Sequence, residues 1–465
     1  MQVAETAGLV ATEGILLNRN SPSLFSAKRS SYPSSSKVIE IGFFLFLLLV
    51  MVRIGTGEAD SAESRIASLQ ATESGDVVKQ LLYTLVFGFS LSYWLAKRGL
   101  NAPLSISVVQ FALMGWILAS SSWAFVPGVS FRRAVLLIFV FTTIGISVDI
   151  IGPVRSIRAL YNALVVCLML SLAAVFFVPS VGLHPMTELD SSIAGGWRGI
   201  FVHKNTAGGV IAMAAILFLH FGVNERKFKH WLFFALSMFF IVFSKSKTPL
   251  ALLLLVVPLG FYYRIAWKNS LSMAVLGTLM ASSVAVLLVA AAAYSRELVG
   301  VFSDPEAFTG RVAIWKAALS FAADHFWLGS GYSSLWNVSS PPPIYPYIST
   351  PFLQFITHSH NGYIEIFATT GIVGLLLAVV GAVVVPLYQL LKNVNPQNTS
   401  YYSLLFSLWL YGVLENMTET QLYTRDREIW VIYFIAILIL QNLSRKPLEP
   451  RAEQRGMSRQ RIYAS

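Results

Sequence analysis

Runs of largely apolar residues, each about 17 to 25 long, recur from near residue 39 to near residue 443, broken by short polar segments with Arg, Lys, Pro or Asn. A run of that length matches the hydrocarbon thickness of a bilayer. In lipid, a helix satisfies its own backbone where an open strand does not. The repetition predicts an all-α fold: a polytopic integral membrane protein of about twelve transmembrane helices. Composition agrees, since 55% of the 465 residues are hydrophobic and 12% are charged, about half the charge of an ordinary soluble domain. The expected spans lie near 39–54, 78–96, 103–123, 133–152, 159–179, 206–222, 231–244, 249–267, 271–294, 361–390, 401–415 and 428–443.

Charge gives this bundle a direction. Residues 1–38 are Ser-rich, with Arg19, Lys28, Arg29 and Lys37, and read as a cytoplasmic tail ahead of an uncleaved first span. An even span count puts both termini on one side. The basic tail 444–465, with Arg445, Lys446, Arg451, Arg455, Arg459 and Arg461, marks that side as cytoplasmic. Spans one to nine then occupy 39–294, an outer loop 295–360, and spans ten to twelve 361–443. This arrangement leaves roughly 20 Lys/Arg inside and 14 outside, a weaker bias than the positive-inside rule usually produces. The single cysteine, Cys167, lies in a predicted span and offers neither a disulfide framework nor a thiolate cluster.

The outside cations cluster. Trp197, Arg198, His203 and Lys204 share one loop; Lys245 and Lys247 share a second; Arg296, Arg311 and His360 share a third; Arg425 and Arg427 share a fourth. Even-numbered spans run inward, so their N-termini face outward beside these cations. Asn205 and Thr206 are expected to cap span six, Thr248 and Pro249 to open span eight, and His360 with Asn361 to open span ten. Free helix-terminal amides with nearby Arg and Lys form a seat for phosphate, so a diphosphate site is expected on the outer face. Each cation also has a plainer use: Arg198, Lys204, Lys245 and Lys247 fit contacts with lipid headgroups or interfacial turns.

The loop 295–360 is too long to be a mere connector. Thr309 is a candidate cap for a helix through Arg311, Ile314, Trp315, Ala318, Leu319 and Ala322 that ends near Gly329. Arg311 falls in its first turn, placed either for a phosphate or for a cation-aromatic contact with Trp315. The stretch with Pro341, Pro342, Pro343, Pro346 and Pro351 cannot be a regular helix. Beyond it, His360, Ile364, Phe367, Gly371, Gly374 and Ala378 are expected on one helical face, with the glycines admitting a neighbouring helix. His360 itself is either a site residue or a simple cap. His358 and His360, joined by Glu365, lack an obvious further ligand, so no metal site is expected. Glu415 and Glu419 are placed either to orient sugar hydroxyls or, as the favoured reading, to pair with Arg425.

Three blocks carry a family resemblance. His360 and Asn361 with Gly371 and Gly374 match the histidine motif of the bacterial O-antigen ligase and Wzy-type polymerase superfamily. The stretches WRGIFVHKNTAG from Trp197 and HSHNGYIEIFATTGIVG from His358 look most like exopolysaccharide polymerases of the ExoQ type. The block TGRVAIWKAA from Thr309, followed by Gly329 and Gly331, resembles the arginine-bearing segment of that family's large periplasmic loop.

This resemblance implies a membrane glycosyltransferase that moves a saccharide from an undecaprenyl diphosphate-linked oligosaccharide donor onto an acceptor hydroxyl, with neither nucleotide sugar, metal nor other cofactor. It implies His360 as general base or acceptor-positioning residue and Arg311 as phosphate clamp. The diphosphate partners would come from Arg198, His203, Lys204, Lys245 and Lys247. The acceptor is a growing glycan for a polymerase or lipid A-core for a ligase, and a chain-length regulator and a flippase are the implied partners. The expected place is the bacterial inner membrane, with polymer formed at the periplasmic face for exopolysaccharide or O-antigen. A transporter or flippase of lipid-linked sugars is the rival of another class, and it predicts inward-facing polar residues, which the spans hold sparsely. No GxxxxGK[ST] loop, dinucleotide GxGxxG or serine-nucleophile elbow stands in a suitable setting. The net charge is +11, but topology and anionic lipid explain about half of the tail basicity, and nucleic acid is not an expected partner.

Overall fold

Proline at the first helical position starts two of the longest helices, where its missing N–H has no partner to lose. Between them sits Gly152 at φ 79°, which ends one and opens the other. The computed structural model describes residues 34–52, 77–99, 104–186, 194–266, 277, 311–336, 338–339, 341–348, 356–392, 398–425 and 427–445. The helices are α1 (Ser34–Met51), α2 (Val77–Arg98), α3 (Val108–Ala119), α4 (Pro127–Ile151), α5 (Pro153–Phe177), α6 (Lys204–Glu225), α7 (Phe228–Phe243) and α8 (Lys247–Ala266). They are followed by α9 (Arg311–Asp324), α10 (Gly362–Lys392), α11 (Thr399–Glu415) and α12 (Glu428–Arg445).

Each expected span coincides with a helix except the ninth, near 271–294, which apart from residue 277 lies outside the described residues, as do Thr309 and residues 1–33 and 446–465 of the expected tails. Among the described residues six helices are long and apolar enough to cross a membrane: α4, α5, α6, α8, α10 and α12. α3 and α7 are apolar but shorter. The protein is an all-α polytopic membrane protein, with six such spans described rather than twelve.

Burial separates the centre of the bundle from its rim. The apolar windows of α6 and α12 are 83% and 89% buried, against 33% for α8. Helices apolar on every side and buried throughout form the core, while α8 turns Leu254 and Leu255 outward. The interior is more polar than the sparse span polarity of the sequence led us to expect. His220 Nδ1–H donates to Ile216 O (2.8 Å), and its Nε2 lies 3.3 Å from Ser403 Oγ. Asn442 reaches Ser105 Oγ (2.8 Å) and Asp149 Oδ1 (2.9 Å). Glu415, Glu428 and Gln441 are also buried. Interhelical hydrogen bonds of this kind join helices that lipid would otherwise leave indifferent to one another.

α9 does not join the main bundle core. Ala313, Ile314, Ala317, Ala318 and Phe321 make a second small core with Leu335, Trp336, Ile344 and Ala368 of α10. The helix ends at Asp324, a turn earlier than the expected stop near Gly329.

α10 is not one uninterrupted helix, and here the single-face reading of Gly371 and Gly374 is corrected. Gly371 has φ 68° and ψ −175°, outside the helical region, and a short π-helical stretch follows at Val380–Val384. The segment after α9 enters this break, because a Cβ on Gly371 would collide with the Trp327 carbonyl. Gly329 answers it, since a Cβ there would lie 2.6 Å from the Thr369 carbonyl carbon. The freed backbone groups are satisfied by Phe326 O to Ile372 N–H (2.9 Å), Ser330 N–H to Ala368 O (3.0 Å) and Trp116 Nε1–H to Thr370 O (2.9 Å). A loop, not a helix, comes close at Gly371. At Gly374 a Cβ would first collide with the Thr370 side chain of α10 itself, with Trp116 of α3 next at 3.3 Å.

Candidate active site

The site begins with a turn built by one asparagine. Asn416, just past α11, accepts from the N–H groups of Gln421 (3.2 Å) and Leu422 (2.6 Å) and donates to Gly412 O (2.7 Å). The chain entering α10 lies on this turn: Gly362 N–H donates to Asn416 O (2.8 Å), Asn361 N–H to Thr420 Oγ1 (3.2 Å) and Asn361 Nδ2 to Met417 O (3.0 Å). Glycine is required at 362 because a Cβ there would collide with the Asn416 side chain. Asn361 is the cap of α10, its Oδ1 accepting from Tyr363 and Ile364 at 3.0 and 3.1 Å. His360 therefore stands one residue outside the helix rather than capping it. It has φ 50°, a left-handed conformation uncommon for a side chain of this size and costing on the order of 1 kcal/mol or more.

Glu419, at the tip of the turn, gathers four segments of the chain. Its Oε2 lies 3.2 Å from His360 Nδ1, and its Oε1 accepts from Arg311 Nη2 (2.7 Å) and Asn205 Nδ2 (2.9 Å). Asn205 Oδ1 accepts in turn from Ser246 Oγ (2.9 Å). The side chains of Arg311 and Glu419 are 15% and 12% exposed and that of His360 is 26%, so the imidazole is the most open of the three. Burial alone would raise the Glu419 carboxyl. The hydrogen bond and charge of His360 and the charge of Arg311 outweigh it and hold the group well below the usual carboxylate range. The favoured pairing of Glu419 with Arg425 is thus replaced by pairing with Arg311 and His360.

The other expected site residues divide. Span six opens earlier than expected: His203, not Asn205 or Thr206, caps α6, accepting from Asn205 N–H at 3.2 Å. Burial, then the neighbouring His184, push the His203 imidazole down to about 4. Lys204 is buried, with its N–H on His184 Nε2 (3.0 Å). Arg198 turns to the carbonyls of Val181 (3.0 Å) and Ser180 (3.2 Å), and Lys245 to the carbonyl of Ala194 (3.1 Å). Lys247 is exposed at the first residue of α8, so Thr248 and Pro249 lie inside that helix and do not open it. The structure brings Arg311 and His360 together, with His203 and Lys204 at the near end of α6. Arg198 and Lys245 serve loop carbonyls instead.

His358 packs beside His360 with ring centroids 4.1 Å apart, and its Nδ1 accepts from His360 N–H (3.2 Å). Burial, followed by the charges of His360 and Arg427, lowers it well below the usual imidazole range. Glu365 is occupied by Ser359 N–H (2.9 Å) and Trp336 Nε1–H (3.1 Å). Among the described residues no group of three or more His, Cys, Asp or Glu is placed to hold a metal ion.

Residues 232–379 match the family model for O-antigen ligase, Wzy_C. Over that stretch the chain is similar to the O-antigen ligase family. Within the match lie most of α7, then α8, α9 and the first half of α10, with Arg311, His360, Asn361, Gly371 and Gly374. Glu419 and Asn205, which complete the cluster around His360, lie outside the matched residues. That similarity supports a polysaccharide polymerase or ligase role at a membrane. A search of curated proteins finds no match.

Proposed function

We propose that the protein is a polysaccharide polymerase that transfers a saccharide from an undecaprenyl diphosphate-linked donor onto the hydroxyl of an acceptor glycan, in exopolysaccharide or O-antigen synthesis. The observation that carries this reading is the contact of His360 Nδ1 with Glu419 Oε2, beside Arg311, with His360 and Arg311 inside the stretch that matches the O-antigen ligase family model. An ionised carboxylate only accepts hydrogen bonds, so neutral His360 carries its hydrogen on Nδ1 and offers the Nε2 lone pair. In the reaction the acceptor O–H proton passes to His360 Nε2 and the oxygen attacks the anomeric carbon. The bond to the diphosphate oxygen breaks with its electrons remaining on that oxygen. Glu419 stabilises the imidazolium so formed, as the buried carboxylate of a catalytic triad does. Arg311 meets the charge growing on the leaving diphosphate, with Lys204 as its nearest expected helper.

The test supplies purified lipid-linked oligosaccharide to the purified protein. Longer glycan with release of lipid diphosphate supports the polymerase. A conjugate formed only with lipid A-core supports the ligase reading, which the family description favours. Transport without any new glycosidic bond would replace both by a transporter.

The reading also requires the His360 segment to face the periplasm of a bacterial inner membrane, with both termini cytoplasmic. Thr357 is exposed, and the sole native cysteine, Cys167, is buried. Thr357→Cys should therefore react with an impermeant maleimide on intact spheroplasts; protection until lysis would contradict the orientation.

A further inference from the structure

Beside His358, and lined by none of Arg311, His360 and Glu419, lies a cavity of about 370 Å³ that the proposed chemistry does not use. Its size falls within the range of small-ligand sites, on the order of 300 to 1,000 Å³. Among the described residues, three arginines line it, Arg133, Arg425 and Arg427, with one carboxylate, that of Glu365. That carboxylate is already engaged by Trp336 and Ser359. Arg133 is anchored through Nη1 to the carbonyl (2.6 Å) and hydroxyl (3.2 Å) of Ser333, which fixes its planar fork at the wall.

We propose that this cavity is the subsite for a carboxylate-bearing sugar of the acceptor glycan. The lining decides between a sugar and the lipid diphosphate. The rest of its described lining is mainly aromatic or hydroxylic, with Tyr332, Trp336 and several threonines, and Ile366 and Leu422 are the aliphatic members among the described residues. A prenyl diphosphate needs a continuous apolar track for its chain, and this wall offers none. Aromatic rings with hydroxyls suit a pyranose, and guanidinium groups suit its carboxylate in a two-point contact. Position fits as well. His358 is part of the wall and its ring lies 4.1 Å from that of His360, so a sugar held here has its neighbouring hydroxyl within one imidazole of the base. Naming the ligand an acceptor rests on the proposed transfer reaction; the preference for an anionic sugar rests on the cavity alone.

The test is calorimetric titration of the purified full-length protein in detergent with a glucuronic acid-containing disaccharide, its carboxyl-reduced counterpart and inorganic pyrophosphate. The acidic disaccharide should bind, and reducing its carboxyl should weaken binding about tenfold or more. Arg427→Ala should lose a similar factor and Arg427→Lys only part of it. Arg425→Gln, a milder change read beside the thermal unfolding midpoint, covers the case in which Arg427→Ala fails to fold. Equal binding of the acidic and reduced disaccharides, or no binding of either, would overturn the proposal. So would displacement of the acidic sugar by pyrophosphate with losses in the same variants, which would make the cavity a diphosphate site. His360→Ala should leave this binding intact. Retained acidic-sugar binding in a protein with no transferase activity would sink the transfer reading and spare the subsite.

Discussion

The imidazole of His360 and the carboxylate of Glu419, 3.2 Å apart, come from turns on different helices, and the same carboxylate holds Arg311 at 2.7 Å. One buried acid thus couples the proposed base to the proposed phosphate clamp, so the two cannot be altered independently. Glu419→Gln keeps the shape and removes the charge. It should permit the wrong imidazole tautomer and lower turnover about 10² to 10⁴-fold, with a smaller change in donor KM. Steady-state kinetics of the purified variant check this; unchanged turnover would reduce Glu419 to a structural anchor.

Arg311 carries both roles of a paired cation. Arg311→Ala should lose about 3 kcal/mol of transition-state stabilisation. It should also destabilise the fold by roughly 3 kcal/mol, since Glu419 is then left buried without its partner. Arg311→Lys keeps the charge but not the fork, and should recover only part of the activity. Full activity with lysine would show that a point charge suffices. The two effects separate when activity and thermal unfolding are measured on the same preparations.

Acid should loosen the near end of α6 first. The folded His203 imidazole is lowered to about 4 by burial and then by His184, whereas an unfolded histidine titrates near 6.5. Between those values the unfolded chain binds more protons. The stability associated with a neutral His203 is therefore present above about pH 6.5 and falls as pH drops toward 4. His203→Asn retains a capping side chain and should flatten this part of the profile. Thermal unfolding of both proteins from pH 7 to 4 measures it, and parallel slopes would exclude His203 as a contributor.

The sequence reveals what is local in this protein. Apolar runs locate the helices because crossing lipid needs only length and composition, and His360 and Arg311 stand out through their motif and their place beside helix starts. Glu419 was visible as an acid at the end of a span, but its partner was misassigned. Arg425 is near in sequence, whereas His360 and Arg311 are brought to it only by the fold of the Asn416 turn. The signal available was an acid in a run of side chains suited to turns, Asn416, Thr418 and Thr420, at the same end of the bundle as the histidine. Asn205 reads as a helix cap because asparagine so often is one. Its actual use, bridging Ser246 to Glu419, depends on α6 and α8 meeting there. The break at Gly371 was hidden for the same reason: glycine in an apolar run reads as close packing, and what packs there is a loop more than forty residues earlier in the chain.

The central claim is that His360 removes the acceptor's proton. The rate of lipid diphosphate release by purified protein, given lipid-linked oligosaccharide and acceptor, should fall about 100 to 10,000-fold in His360→Ala, with the unfolding midpoint little changed. A His360→Ala protein that releases lipid diphosphate and lengthens glycan at near the parental rate would contradict it.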